Sequence, residues 1–138
     1  MTARAFLDTN ILIYALVKRK SAATDHRTET AEEVLLEGGV VSVQVLTEFT
    51  DAVSRKHGKR WQTIREMVEG IEAICGSAIP LTSEMYKKAL AISERYAFRF
   101  FDSLILAAAL QAGCTTLYTE DLQHGQLIEG VRIVNPFL

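Results

Sequence analysis

The stretch Phe6-Leu7-Asp8-Thr9-Asn10-Ile11-Leu12-Ile13, residues 6–13, sets an ionisable side chain between two apolar runs. Short apolar runs of this kind usually belong to the core. A buried carboxylate among them is costly unless it is hydrogen-bonded or paired with a cation. One explanation is that Asp8 caps a helix, and another is that it binds a cation. Which of these two explanations holds depends on whether other residues of the chain can bind a cation together with Asp8.

The composition is that of an ordinary globular protein. The chain has 138 residues, of which 49% are apolar and 23% charged, so we expect one domain over residues 1–138. The longest apolar stretch, 104–110, is too short to cross a bilayer, and no signal-peptide pattern precedes Asp8. A cytoplasmic protein without membrane association is therefore expected. The net charge of −2 gives no overall footprint for nucleic acid, although a local basic edge is compatible with it.

The cysteines and histidines do not indicate a zinc site. Cys75 and Cys114 lie far apart without a CxxC context and are expected to be free, buried thiols. The three histidines have no spacing typical of metal ligands.

Apolar patterning predicts strands that alternate with helices. We expect five strands, over 3–7, 40–43, 78–81, 115–118 and 131–134. Helices are predicted over 10–17 and 29–36, from Val45 to near Gly58, over 64–75, from Thr82-Ser83 to Tyr96, and over 102–112, with a loop at 18–28. Thr9 or Asn10 is the expected cap of the first helix, and Ser83 of the fifth. Strands alternating with helices favour an α/β fold around a mostly parallel sheet.

Acidic residues recur where these strands end. Asp8 follows the first strand, Glu48 lies in the helix after the second, Asp121 follows the fourth, and Asp102 begins the buried helix. Ligands of parallel sheets bind outside the carboxyl ends of the strands. Taken singly, Asp102 is explained as a helix cap and Asp121 as a loop residue.

Together the four acids indicate a different chemistry. Converging carboxylates without an obvious cationic partner repel one another and raise each other's pKa. A hard divalent cation among them removes this cost, and oxygen-only ligands suit Mg²⁺ or Mn²⁺. This favours metal-assisted hydrolysis of a phosphodiester.

Four motifs carry a family resemblance. In chain order they are Phe6-Leu7-Asp8-Thr9-Asn10-Ile11-Leu12, then Glu48-Phe49, then Phe101-Asp102-Ser103-Leu104-Ile105-Leu106-Ala107-Ala108-Ala109, and finally Leu117-Tyr118-Thr119-Glu120-Asp121. The chain resembles the PIN-domain family over essentially its full length, and is most similar there to the VapC-type toxins of toxin–antitoxin systems.

The resemblance implies a Rossmann-like α/β/α sandwich, with about five strands, that acts as a Mg²⁺- or Mn²⁺-dependent endoribonuclease. It makes Asp8 and Asp102 the principal metal ligands, with Glu48 and Asp121 completing the acidic quartet. Two further polar positions and an ambiguous acid would support the site: Asn10, Thr119 and Glu120.

The resemblance also implies partners. VapC-type toxins usually form homodimers and are inhibited by a cognate VapB-type antitoxin, often through an arginine inserted among the acids. Apolar faces around 64–74 and 85–92 could serve the core, a dimer interface or an antitoxin groove.

Two basic clusters are candidates for contacts with the RNA backbone. The denser one contains Arg55, Lys56, Lys59 and Arg60, and the other is 18–20. Each is equally explained as a solvated helix end or loop, since cations are favoured near helix C-termini.

Three other readings remain. A haloacid-dehalogenase-like phosphatase also starts from a strand-end aspartate, but it needs a second aspartate where this chain has Asn10. A PIN-domain nuclease could act in RNA processing without being a toxin. A catalytically silent PIN-fold binding module is disfavoured because it has no need for mutually repelling acids.

Overall fold

The computed structural model describes residues 4–17 and 26–138. Six helices and four strands follow one another there: β1 (Arg4–Leu7), α1 (Thr9–Leu16), α2 (His26–Leu36), α3 (Val43–Arg55), α4 (Trp61–Cys75), α5 (Ser83–Tyr96), α6 (Phe100–Gln111), β2 (Cys114–Tyr118), β3 (Leu127–Ile128) and β4 (Val131–Val134). The α/β fold expected from the patterning is confirmed.

The sheet has the strand order β1-β2-β4-β3. β1, β2 and β4 run parallel, and β3 is antiparallel to β4. Phe6 is paired with Leu117, which is paired with Ile133, and all three are fully buried. Continuous burial of this kind is typical of parallel strands covered on both faces.

The prediction of strands over 40–43 and 78–81 is wrong. Residues 40–43 and 78–81 form isolated parallel bridges, one between Phe6 and Val40 and one between Ser42 and Ile79. In each segment the extended backbone is too short to form more than a single bridge. Ser42 caps α3 by accepting a hydrogen bond from the Val45 N–H and so turns the chain into a helix. The pairing ends beyond Ile79 because Val43, which donates its N–H to the Ile79 carbonyl, is already the first residue of α3.

The short strand β3 was not predicted. Two residues give no periodicity, and they pair with β4 only through the tight turn at Glu129-Gly130. Both turn residues have positive φ, 50° and 92°. This is the requirement of a type I′ hairpin turn, which a Glu-Gly pair signals less clearly than Asn-Gly.

Helix boundaries differ from the predictions by a few residues. α2 begins at His26 inside the expected loop, and α6 begins at Phe100, two residues before Asp102. The cap of α5 is Thr82 rather than Ser83, because the Thr82 hydroxyl accepts from the Met85 N–H. Ala3 of the expected first strand lies outside the described residues, and so do residues 18–25 of the expected loop.

Helix α6 packs between α5 and the strand β2. Its residues Ser103 to Ala109 are all buried, and the Ser93 hydroxyl of α5 donates to the Ser103 hydroxyl at 2.7 Å. On α5 the apolar face of Met85, Ala89 and Ile92 is buried in the core. Of the three roles expected for the faces 85–92 and 64–74, these residues serve the core. The same holds for Ile64 and Ile71, which are buried.

None of the helices in 4–17 and 26–138 is both long and apolar enough to span a membrane.

Candidate active site

Asp8 lies where the parallel strands β1 and β2 end. Because Leu7 is paired with Tyr118, the next residues of the two strands, Asp8 and Thr119, lie side by side. Asp8 Oδ2 accepts from the Thr119 hydroxyl at 2.7 Å, and Oδ1 accepts from the Thr9 N–H at 2.7 Å. The expected cap, Thr9 or Asn10, is wrong because Asp8 itself caps α1. Capping and a role in the site are therefore not alternatives.

The environment of Asp8 disfavours its charged form. The residue is only 5% exposed. Burial raises its pKa from 3.8 to about 7, although the hydrogen bonds from Thr119 and Thr9 act in the opposite direction. The charges of Asp121 and Glu48 raise the pKa further. Such a carboxyl is costly to ionise unless a cation lies beside it.

Glu48 is held from two sides. Its Oε2 accepts from the Thr9 hydroxyl at 3.1 Å, and its Oε1 accepts from Gln44 Nε2 at 3.0 Å. The same Gln44 nitrogen donates to the backbone carbonyl of Phe101 at 3.0 Å, which ties α3 to the start of α6. Gln44 is not among the residues predicted from the sequence, although its spacing of four residues from Glu48 on one helix is a usable signal.

Asp102 is the third residue of α6 and not its cap. The residue at the cap position is Arg99, which makes no side-chain capping bond. Burial raises the pKa of Asp102, the Arg99 guanidinium lowers it, and the charges of Asp121 and Glu48 raise it. Arg99 Nη2 lies 3.6 Å from Asp102 Oδ1. The expectation that the acids lack a cationic partner was wrong, and an Arg three residues before Asp102 was the signal for it.

The structure separates the roles of Asp121 and Glu120. Asp121 Oδ2 accepts from Asn10 Nδ2 at 3.2 Å, and the Asp121 N–H donates to the Thr119 hydroxyl at 3.1 Å. Glu120 instead accepts from the Tyr14 hydroxyl, at 3.0 and 3.2 Å to its two oxygens. Since the charge of Asp121 affects the pKa of both Asp8 and Asp102, Asp121 is the one that faces the other acids.

The four acids are electrostatically coupled without forming a closed cage. Within the described residues, no three Asp, Glu, His or Cys side chains converge as a group that could hold a metal ion as they stand. Two buried side-chain oxygens nearby, Asn10 Oδ1 and Gln44 Oε1, accept no hydrogen bond from the described part of the chain. Carboxylate and amide oxygens of this kind are the donors that hard divalent cations prefer.

The denser basic cluster lies away from the acids. It runs from Arg55, the last residue of α3, to Arg60, directly before α4, and Arg55 Nε makes an exposed ion pair with Asp51 Oδ1 at 3.1 Å. Along α3, Arg55 is seven residues beyond Glu48, about 10 Å along the helix axis. Lys56 and Arg60 are exposed, and Lys59 is half-buried. The second cluster, 18–20, lies outside the described residues.

A family model of the PIN domain matches residues 5–127, which contain all four acids. The chain belongs to the PIN domain family. A comparison with curated proteins gives no significant match.

Several solved structures share the fold of this chain. A toxin–antitoxin complex from Klebsiella pneumoniae matches with a TM-score of 0.71 and 20% identity, over 96% of this chain and 97% of that one. VapC20 of Mycobacterium tuberculosis, a toxin that cleaves the sarcin–ricin loop, matches at 0.63 and 21%, over 85% and 89%. VapBC2 of Rickettsia felis, bound to a DNA fragment from its promoter, matches at 0.65 and 19%, over 94% and 96%. At these identities the likeness concerns the fold.

Proposed function

We propose that this PIN domain is a metal-dependent endoribonuclease and the toxin of a toxin–antitoxin pair. The observation that carries the proposal is the convergence of Asp8, Glu48, Asp102 and Asp121 at the carboxyl end of the sheet. Burial there raises the pKa of Asp8 and Asp102, and the charges of Asp121 and Glu48 raise both pKa values further. The toxin role is supported by the fold shared with VapC20 and with toxin–antitoxin complexes.

Mg²⁺ or Mn²⁺ fits the donor set. Mg²⁺ is usually held by one or two carboxylates together with water and substrate phosphate, so it does not need a closed cage of side chains. Asp8 and Asp102 would hold the ion, and Glu48 and Asp121 would complete its surroundings. When bound, the ion lowers the pKa of a coordinated water and stabilises charge on the scissile phosphate.

Two threonines position the acidic residues through hydrogen bonds. Thr9 donates its N–H to Asp8 and its hydroxyl to Glu48. Thr119 donates its hydroxyl to Asp8 and accepts from the Asp121 N–H. Because Thr9 directly follows Asp8 and Thr119 directly follows β2, the carboxylates of Asp8 and Glu48 are oriented before any ligand arrives. Such preorganisation costs no reorganisation at the moment of reaction.

The partners follow from the charge of the site. A cluster of carboxylates is complementary to the planar fork of an arginine, which binds carboxylates bidentately. An arginine of a VapB-type antitoxin would therefore block the site by occupying the place of the cation. We propose a homodimer as the active assembly and the cytoplasm as its location. Arg55, Lys56, Lys59 and Arg60 are proposed to contact the RNA backbone at a distance from the acids.

An RNA cleavage assay tests the enzymatic part. We expect the purified chain to cleave single-stranded RNA with Mg²⁺ or Mn²⁺ and to lose cleavage in EDTA. Asp8→Asn should abolish cleavage because it removes a ligand of the ion, whereas Asp51→Asn, an exposed acid on α3, should keep it. Full cleavage by Asp8→Asn or in EDTA would refute the metal-dependent mechanism.

Expression in a bacterial host tests the toxin part. Induction of the wild-type chain should arrest growth, and Asp8→Asn should not. Co-expression of a short reading frame that adjoins the gene should restore growth by supplying the antitoxin. Cleavage in vitro without growth arrest would instead indicate a nuclease of RNA processing.

A further inference from the structure

The stretch from the last turn of α5 to the first turn of α6 combines basic and aromatic side chains directly before Asp102. Residues 95–101 read Arg-Tyr-Ala-Phe-Arg-Phe-Phe. Tyr96 and Phe98 are stacked, with centroids 5.6 Å apart and planes at 14°, and the Arg95 guanidinium lies 5.3 Å from the centroid of the Tyr96 ring. Aromatic rings with interspersed arginines are typical of surfaces that bind single-stranded nucleic acid.

Exposed aromatic rings lie at the start of α6, next to Asp102 in the chain. Phe101 is 55% exposed and Tyr86 is 51% exposed, and each makes an edge-on contact with Phe100, at 6.2 and 5.4 Å between centroids. The backbone carbonyl of Phe101 accepts from Gln44, which also donates to Glu48. The Phe101 ring is therefore open to solvent, while its backbone is tied to α3 one residue before Asp102.

Arg99 supplies a cation at the same edge. Its side chain is 75% exposed, and 3.6 Å separates Nη2 from Asp102 Oδ1. A guanidinium has five N–H donors, and one long contact with a carboxylate leaves most of them available. Of the ion pairs between described residues, this is the one that includes an acid of the site.

We propose that Arg99 and Phe101 form a nucleotide subsite for the RNA substrate. Phe101 stacks on an unpaired base next to the cleavage position, and Arg99 binds a backbone phosphate. The inference rests on the proposed ribonuclease function and adds a preference for single-stranded RNA at this edge. A-form duplexes hide the faces of their bases, whereas unpaired bases can be splayed out and stacked on aromatic rings.

The exposed guanidinium of Arg99 favours RNA over a protein partner at this edge. Four carboxylates repel an approaching phosphodiester, so a cation beside them has to offset part of this repulsion. Arg99 meets that need, and its fork matches phosphate oxygens. The flanking ring then adds a contact that does not depend on the base, because every base has a π-face. Exposed apolar side chains also occur at protein interfaces, and that occupant is an outcome of the test.

The experiment measures binding of a labelled single-stranded oligoribonucleotide in EDTA, where cleavage is suppressed, to the full chain. Phe101→Ala should weaken binding by about 5-fold to about 100-fold, as for loss of one base stack. Phe101→Trp should keep the affinity because it still stacks, and Phe101→Leu should not. Leu36→Ala, which truncates an exposed apolar side chain on α2, is the matched control and should bind like the wild type.

A base-by-base comparison isolates the stack. Replacing one nucleotide at a time by an abasic residue should weaken wild-type binding most at one position, and that loss should disappear in Phe101→Ala. For Arg99→Gln, the plot of log Kd against log salt should become less steep by about 0.7 for the lost phosphate contact. Arg65→Gln, on the exposed face of α4, should leave the slope unchanged.

Each result decides between the alternatives. If wild-type chain cleaves RNA in Mg²⁺ but Phe101→Ala binds and cleaves equally well, the subsite is refuted while the ribonuclease stands. If Phe101→Ala instead weakens only self-association, measured by light scattering, or only antitoxin binding, this edge is a protein interface and the proposal is wrong. If the wild type neither binds nor cleaves RNA, both proposals fall.

Discussion

Replacing Asp8 with Asn should make the protein inactive and, at the same time, more stable. Asp8 is buried, and its pKa is raised from 3.8 to about 7. The folded carboxyl keeps its proton up to about pH 7, whereas the unfolded one releases it near pH 4. The folded state therefore binds more protons between these values, and the free energy of unfolding falls as the pH rises through this window.

The size of the effect follows from the pKa. A change from 3.8 to about 7 corresponds to about 4 kcal/mol above the window, at about 1.36 kcal/mol for each tenfold change in proton affinity. Asn carries no charge, so it avoids this cost. Its carbonyl can accept from the Thr9 N–H, and its amide can donate to the Thr119 hydroxyl, which also accepts. The hydrogen bonds of the site can thus survive the substitution.

Urea unfolding of wild type and Asp8→Asn at pH 5.5 and pH 8.0, without divalent ions, measures the difference. The variant should be more stable at both values, and its advantage should grow by about 2 kcal/mol between them. Asp51→Asn, at an exposed position, should shift stability by less than about 0.5 kcal/mol at either pH. Added MgCl₂ should stabilise the wild type and leave Asp8→Asn unchanged, because only a ligand that binds the folded state stabilises it.

A variant that is less stable than wild type at pH 8.0, or an advantage that does not depend on pH, would refute the account of Asp8 as a carboxyl held at a cost for its cation.

Two further predictions concern neighbouring positions. Asp121→Asn should remove most Mg²⁺-dependent cleavage, whereas Glu120→Gln should keep it. The reason is that Asp121 faces the other acids, while Glu120 is hydrogen-bonded to Tyr14 of α1. The reverse pattern in the RNA cleavage assay would exchange the roles of the two residues. Gly39→Ala should destabilise the protein by about 1–3 kcal/mol in thermal unfolding, since a Cβ there would lie 3.0 Å from both a backbone oxygen and a side-chain carbon of β1. Gly70→Ala on α4, where a Cβ meets nothing within 4 Å, should be neutral or stabilising.

The acidic residues could be found in the sequence because each lies beside a strong local pattern. Asp8 interrupts apolar runs, Glu48 belongs to an amphipathic helix, and Asp102 lies just before the apolar run 104–110. These patterns depend on neighbours in the chain, and one strand or one helix is enough to produce them.

The contacts that orient the acids could not be found in this way. The hydroxyl of Thr119 reaches Asp8, and Gln44 reaches the backbone of Phe101, across 111 and 57 residues of sequence. Such contacts exist only after the strands are in register and α3 has packed near α6. The ion pair of Arg99 with Asp102 is local, but an exposed arginine at that spacing is commonly solvated, so the spacing alone does not predict the pair.

The sequence alone determined the alternation of strands and helices, the buried helix α6, and the four acids at the carboxyl end of the sheet. Apolar periodicity fixes which side of each element is buried, and this information is local. The tertiary structure decided that 40–43 and 78–81 are bridges, that Asp8 is both cap and buried acid, and that Asp121 rather than Glu120 faces the site. These outcomes depend on which groups meet across the sheet. Burial and charges that are distant in sequence set the free energy of ionising a carboxyl group, and neighbours in the chain do not reveal them.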